Sequence, residues 1–139
     1  MTLDQLEREG FIKKLPTNYR KVTDTLSLAQ RDIITAKNVL EQDTDWAFNI
    51  AYNAILQTLR AFMFSKGYRP DGSNQHVSVV RFAELYLESD IVIMFDRMRR
   101  KRHLSIYDTA GTISPNEAKT AIETAEDIFE KIKRQITKY

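Results

Sequence analysis

Apolar side chains recur every three or four residues along most of this chain, which is the spacing of one face of an α-helix. A clear example falls between residues 22 and 40, where six apolar residues keep this spacing. They are Val22, Leu26, Ala29, Ile33, Ala36 and Leu40. The alternation that is typical of strands is weak everywhere. We therefore predict an all-α protein.

Five long helices are predicted from this pattern, after a short leading helix over residues 2–9. Their expected ranges are 23–42, 46–66, 75–87, 91–105 and 116–137. Gly67 should close the second as a left-handed C′ residue, and Ser114, Pro115 and Glu117 form a capping box for the last. Short connections between helices with one apolar face predict an antiparallel bundle of four to five helices.

The second long helix is the most apolar, so we expect it to be central, with N-cap oxygens supplied by residues 43–45. Its polar residues form one stripe, interpreted as a strip that reaches water, as an interhelical hydrogen-bond seam or as the lining of a site. They are Asn49, Asn53, Gln57 and Arg60. Other apolar side chains exceed what one small bundle should cover, which predicts a homodimer. These are Tyr52, Phe62, Phe64, Met94 and Phe95.

Composition narrows the function classes. A chain of 139 residues fits one domain, here an N-terminal arm over 1–21 and a helical bundle over 22–139. The absence of cysteine excludes disulfides and thiolate chemistry, and no stretch approaches the length of a membrane span. The acidic N-terminus does not resemble a signal peptide, so we expect a cytoplasmic protein. Without Glu-x-x-His, a Walker loop or Gly-x-Ser-x-Gly, no metal and no cofactor are expected.

Positive charge is concentrated in one segment. The chain nets +2, yet five of the six residues from Arg97 to Arg102 are basic. The apolar stripe of this helix, which includes Met94 and Met98, continues to Arg102, so Arg102 should point inward. A guanidinium on an apolar seam needs a partner, either a carboxylate or a phosphate, because an unpaired buried charge costs several kcal/mol. Arg99, Arg100 and Lys101 should instead lie on the sides of the helix and face solvent.

Three segments, taken together and in order, resemble a HEPN domain over roughly residues 22–138. They are the helix over 46–62, the Gly67-Tyr68-Arg69-Pro70 loop with His76 after it, and Arg102-His103-Leu104-Ser105-Ile106-Tyr107-Asp108. The resemblance implies a helical bundle that commonly dimerises. It also implies that many members are metal-independent endoribonucleases, often toxins paired with a nucleotidyltransferase antitoxin.

The family motif is an arginine followed, after four to six residues, by a histidine, often with a polar residue directly after the arginine. Two registers fit this chain. Arg97 pairs with His103 in the first; in the second, Arg102 is followed by His103 as the polar residue and Tyr107 stands in the histidine's place. We prefer the second because it puts the arginine on the inward stripe. Tyrosine, with a pKa near 10, is a poor base at neutral pH, which argues against catalysis.

Three functional hypotheses follow. The preferred one is a non-catalytic HEPN module that binds RNA, a nucleotide phosphate or a nucleotidyltransferase partner. The second is a metal-independent endoribonuclease whose predicted catalytic residues are Arg102, His103 and Tyr107. The third is a structural helical dimer in which Arg102 pairs with an acid such as Glu84 or Asp108. Phosphate or RNA contacts are predicted for Arg97, Arg99, Arg100, Lys101 and His76, although His76 also fits a helix-end hydrogen bond.

Overall fold

The computed structural model describes residues 1–108 and 110–136, without the side chains of Tyr107 and Asp108. This part of the chain contains six α-helices, a π-helical segment over Leu104–Asp108 and two short strands. The helices are α1 (Leu3–Arg8), α2 (Tyr19–Val39), α3 (Thr44–Ser65), α4 (Gln75–Ala83), α5 (Ser89–His103) and α6 (Pro115–Ile136); the strands are β1 (Ile12–Lys14) and β2 (Tyr68–Pro70). The predicted all-α fold is confirmed. None of the described helices is long and apolar enough to cross a membrane.

The predicted helix-end residues act as the sequence indicates. The Asp43 carboxylate accepts a hydrogen bond from the amide of Trp46 at 2.9 Å and so begins α3. Ser114 and Glu117 exchange two hydrogen bonds of 3.1 Å at the start of α6, which is a complete capping box. Gly67 follows α3 with φ +84°, in the left-handed region that glycine adopts at little cost.

Two helix boundaries differ from the prediction by about four residues, which are the largest differences. α2 begins at Tyr19, before the expected start, because the Asn18 side chain accepts a hydrogen bond from the amide of Lys21. α4 ends at Ala83, earlier than the predicted residue 87. The last predicted residue of α6, Thr137, lies outside the described residues.

The strands were not predicted, and they join the N-terminal arm to the loop before α4. β1 and β2 pair antiparallel, with Ile12 opposite Pro70 and Lys14 opposite Tyr68. The loop after β2 also approaches the arm closely: a Cβ at Gly72 would lie 3.1 Å from the carbonyl oxygen of Gly10. Three residues a strand are too few to show alternation, so this pairing has no sequence signal. It nevertheless fixes the chain that leads into α4.

α3 is the central helix, as predicted, and it contacts α2, α4, α5 and α6. Leu6 and Ile12 of the N-terminal arm are buried in the same hydrophobic core as the helices. The apolar surface used to predict a homodimer is covered within one chain, since Tyr52, Phe62, Phe64 and Phe95 are all buried and Met94 is half-buried. That argument for a homodimer was wrong. The expectation then depends on the family resemblance alone.

The polar stripe of α3 forms hydrogen bonds both to other segments and within the helix. Asn53 donates a 2.8 Å hydrogen bond to the buried carboxylate of Asp32 on α2, and Arg31 pairs with the same carboxylate at 3.1 Å. Asn49 donates to the carbonyl oxygen of Asp45 within α3 and, at 3.4 Å, to the hydroxyl of Ser105. The hydrogen-bond interpretation therefore fits the stripe better than a site lining does.

Candidate anion site between helices α3, α4 and α5

Arg102 turns toward α3, on the face that the helical spacing indicates. Its guanidinium carbon lies 5.4 Å from the ring centroid of Tyr52, within the range of a cation–π interaction. The Tyr52 ring is fully buried and stacks on Phe95, with the ring centroids 5.1 Å apart. α3 therefore supplies a fixed aromatic surface on which the half-buried arginine of α5 rests.

Arg102 has no acidic partner among the described residues. Its Nε is buried without a hydrogen bond, and none of its nitrogens forms an ion pair with a described carboxylate. Glu84, one of the two acids predicted to pair with it, is 3.5 Å from Arg81 instead. The side chain of the other, Asp108, lies outside the described residues. Within the described part of the chain, the Arg102 guanidinium keeps unused hydrogen-bond donors.

His76 lies on the other side of the Tyr52 hydroxyl. It follows the α4 N-cap, Asn74, and its Nδ1 is 2.8 Å from the Tyr52 oxygen, so the two groups share a hydrogen bond. The rings are nearly parallel, 2° apart. Burial, helped by the positive charges of Arg102 and Arg99, lowers the pKa of His76. Burial also raises the pKa of Tyr52, against the smaller opposite effect of both arginines. At neutral pH both rings are therefore uncharged.

Most of the other basic residues of α5 are paired with acids. The Asp96 carboxylate accepts a hydrogen bond from Arg99 at 3.0 Å and forms an ion pair with Arg100 at 3.8 Å. Lys101 pairs with Glu117 of α6 at 3.1 Å. The expected solvent-facing flank is thus largely neutralised by neighbouring carboxylates.

A separate groove of about 430 Å³ lies between α3, α5 and α6. Phe48, Met94 and Met98 form its apolar part, and Arg97 and Lys101 line it as well. Arg97 is exposed and forms no ion pair with any side chain in the described ranges. The helix therefore divides the basic segment: Arg102 faces Tyr52, while Arg97 lies on the side of the groove.

The HEPN domain family model matches residues 22–135 of this chain. The chain belongs to the HEPN domain family. Among solved structures, it is similar to TT1696 from Thermus thermophilus, with a TM-score of 0.68 and 16% sequence identity, over 82% of this chain and 97% of that one. At this identity the likeness extends to the fold alone. A search of curated proteins found no match.

Within this HEPN domain, the side chains of Arg102 and His103 differ in exposure. Arg102 is half-buried against Tyr52, but His103, the next residue, is exposed. The side chain of Tyr107 lies outside the described residues, so both motif registers stay predictions. In the described ranges, no three histidine or acidic side chains lie close enough together to hold a metal ion.

Tyr52 and His76 have roles in this site that the sequence did not indicate. Tyr52 is one of many apolar residues of α3, and nothing in the sequence distinguishes it from them. His76 was predicted to contact phosphate or a helix end, yet its partner lies 24 residues away on another helix. Arg102 lies over the Tyr52 ring, and the charge of Arg99 acts on both rings. We call this group of four side chains, which is rich in hydrogen-bond donors and positive charge, the Tyr52 pocket.

Proposed function

We propose that this HEPN protein binds a phosphate group of RNA or of a nucleotide in the Tyr52 pocket, defined by Tyr52, His76, Arg99 and Arg102. One observation carries the proposal: the half-buried Arg102 guanidinium lies over the Tyr52 ring and has no carboxylate partner among the described residues. A ligand oxygen would supply the missing acceptor.

The energetics favour an anionic ligand. Leaving the buried Nε of Arg102 without an acceptor costs about 1–3 kcal/mol, of which a cation–π contact returns about 0.5–2 kcal/mol. The remainder is recovered when an anion binds. The planar guanidinium matches the oxygens of a phosphate, to which it donates two parallel hydrogen bonds. Asp96 already engages Arg99, so the main positive charge available to the ligand is that of Arg102.

The test compares Arg102→Met with Arg60→Met. Arg60 is also half-buried over an aromatic ring, but it lies on α3 away from the pocket and already donates to Gln57. Binding of labelled single-stranded RNA, measured by fluorescence anisotropy in EDTA, should weaken at least about tenfold in Arg102→Met, as expected for a buried charge-assisted contact. Arg60→Met should change it less than about twofold, a range in which surface effects fall.

Competition identifies the form of the ligand. If a mononucleotide or inorganic phosphate displaces the RNA, the protein recognises the phosphate itself. If neither displaces the RNA, recognition requires more of the RNA strand than one phosphate. Equal affinity of Arg102→Met and wild type would contradict the proposal.

The same samples address the predicted endoribonuclease, because cleavage products are separated from intact RNA on a gel. Metal-independent cleavage that is absent in both Arg102→Ala and His103→Ala would support that alternative. The homodimer and the nucleotidyltransferase partner are implied by the family resemblance. Sedimentation of the protein alone, and then with a nucleotidyltransferase encoded beside it, tests each of them.

A further inference from the structure

The Tyr52 hydroxyl constrains the position of the proton on His76. Tyr52 is fully buried, and burial raises the pKa of its phenol, so the hydroxyl keeps its proton. A buried hydroxyl proton needs an acceptor, because leaving it unpaired costs about 1–3 kcal/mol. The one acceptor within hydrogen-bond distance among the described residues is Nδ1 of His76, at 2.8 Å.

The other charged groups nearby do not offer an alternative acceptor. Arg102, over the Tyr52 ring, and Arg99 carry donors alone. Asp96, the carboxylate whose charge reaches Tyr52, forms no hydrogen bond with the hydroxyl and is engaged by Arg99 and Arg100. The Tyr52 hydroxyl must therefore donate, and Nδ1 must accept.

This arrangement fixes the tautomer of the imidazole. With Nδ1 accepting, the proton of neutral His76 is on Nε2, at the opposite edge of the ring. Nε2 forms no hydrogen bond with the described residues and is not among the buried unpaired atoms, so it is open to solvent. An imidazolium would place a second proton on Nδ1, against the Tyr52 hydroxyl, and a further positive charge beside Arg99 and Arg102.

We propose that His76 is a neutral hydrogen-bond donor to the phosphate through Nε2–H, held in this tautomer by Tyr52, and that it does not accept a proton from a ligand. The inference rests on the proposed function for the identity of the ligand. His76 then contacts the phosphate directly, and Tyr52 is a positioning residue. The pocket binds without proton transfer, because both nitrogens of the imidazole are already committed: Nδ1 to Tyr52 and Nε2–H to the ligand.

Nitrogen-15 NMR of the histidines at pH 7 tests the tautomer without any ligand. The sequence contains two histidines, and a His103→Gln sample assigns the signals. Wild type should show an accepting Nδ1 and a protonated Nε2 for His76, and Tyr52→Phe should shift His76 toward a mixture of tautomers. A protonated Nδ1 in wild type, whether neutral or imidazolium, would overturn the proposal.

Two substitutions separate the nitrogens of His76 in the RNA-binding assay. The amide nitrogen of glutamine lies near the position of Nε2, whereas that of asparagine lies near Nδ1. His76→Gln should therefore lower affinity at most about threefold, and His76→Asn at least about tenfold, as for the loss of a hydrogen bond to a charged group. Equal loss in both variants, or RNA cleavage that wild type performs and His76→Gln does not, would contradict the donor role.

The pH profile gives an independent readout of Tyr52 as a positioning residue. Between pH 8 and pH 6, wild-type affinity should change less than about twofold, while the affinity of Tyr52→Phe should rise several-fold as the freed imidazole takes up a proton next to the phosphate. The same pH dependence of affinity in wild type and Tyr52→Phe would contradict the role of Tyr52 as a positioning residue. If wild type binds neither RNA, a mononucleotide nor inorganic phosphate, the proposed function fails, and with it the ligand role of His76; the NMR result still decides the tautomer.

Discussion

Arg60 and Arg102 lie in similar surroundings but differ in their hydrogen-bond partners. Each has a buried Nε without a hydrogen bond, and each lies over an aromatic ring, Phe64 at 5.6 Å for Arg60 and Tyr52 at 5.4 Å for Arg102. Arg60, however, donates to Gln57 at 3.0 Å. Arg102 has no acceptor among the described residues.

The comparison shows that a buried arginine is not in itself a binding site. Gln57 supplies Arg60 with an acceptor, and the Asp24 carboxylate lines the same groove, where it pairs with Arg20 at 4.0 Å. Arg102 lies over Tyr52, whose hydroxyl is hydrogen-bonded to an uncharged histidine, and it forms no ion pair with a described carboxylate. The neighbours, more than the burial, distinguish an arginine that completes the fold from one that awaits a ligand.

The largest expected effect is on stability, and it concerns the Tyr52 and Phe64 rings below the two arginines. Tyr52→Ala and Phe64→Ala should each lower the free energy of unfolding by about 3–5 kcal/mol, because each removes a buried aromatic ring and leaves a cavity. Urea denaturation measures this. Tyr52→Phe keeps the ring and should cost about 1–3 kcal/mol for the hydrogen bond alone. A loss below about 1 kcal/mol in Tyr52→Ala would mean that Tyr52 is not packed as described.

The two arginines should differ next in their effect on stability. Arg60→Met removes the hydrogen bond with Gln57 and should destabilise by about 0.5–1.5 kcal/mol. Arg102→Met removes the cation–π contact with Tyr52 but no hydrogen bond with a described residue, and it also removes the buried unpaired Nε, so the free energy of unfolding should change by less than about 0.5 kcal/mol. Urea denaturation of the two variants measures this difference in stability. Destabilisation of Arg102→Met by more than Arg60→Met would indicate that Arg102 has a structural partner.

The pH dependence of stability should distinguish the regions further. The pKa of His76 is lower in the folded protein than its ordinary value of about 6.5, so the unfolded chain binds the proton more tightly. This contribution to stability is therefore complete above about pH 6.5 and is lost as the pH falls toward the lower folded pKa, by at most about 1.4 kcal/mol per pH unit for one proton. His76→Gln should flatten the slope between pH 7.5 and 5.5 relative to wild type, in denaturation at each pH. Arg60→Met should keep the wild-type slope; equal slopes in wild type and His76→Gln would contradict the assigned shift.

The smallest effect concerns one carboxylate in each region, Asp96 and Asp24. Asp96→Asn releases Arg99 and Arg100 and should strengthen RNA binding about two- to fivefold, since a partly exposed ion pair is worth about 0–1 kcal/mol. Asp24→Asn, near Arg60, serves as the matched control with the same change in net charge. An equal gain in both variants would show that total charge, and not the pocket, controls the affinity.

Much of the fold could be predicted because its signals are local. The capping box at Ser114 and Glu117, the N-cap at Asp43 and the C′ glycine at Gly67 act within a few residues along the chain. The inward turn of Arg102 also follows from helical spacing, which orients a side chain once the apolar stripe is known.

The rest depends on contacts between distant segments. β1 pairs with a strand more than fifty residues away, and three residues a strand leave no periodic trace. Tyr52 meets His76 because α3 and α4 pack together, and in the sequence Tyr52 is one aromatic residue among several. The acids that neutralise the basic segment divide in the same way: Asp96 lies within one turn of Arg99, whereas Glu117 reaches Lys101 from another helix.

The pair of strands β1 and β2 is short, but it affects how a larger part of the molecule opens. Asp71, directly after β2, donates its amide to Phe11 of the arm, and its carbonyl oxygen accepts the hydroxyl of Ser78 in α4. The arm, the loop and the first turns of α4 are thus linked through one set of hydrogen bonds, and segments linked in this way open as a cooperative unit in native-state hydrogen exchange. A ligand held by His76 should then slow amide exchange in β1, although no residue of β1 is part of the pocket. Protection of the arm would report occupancy of the pocket from across the molecule.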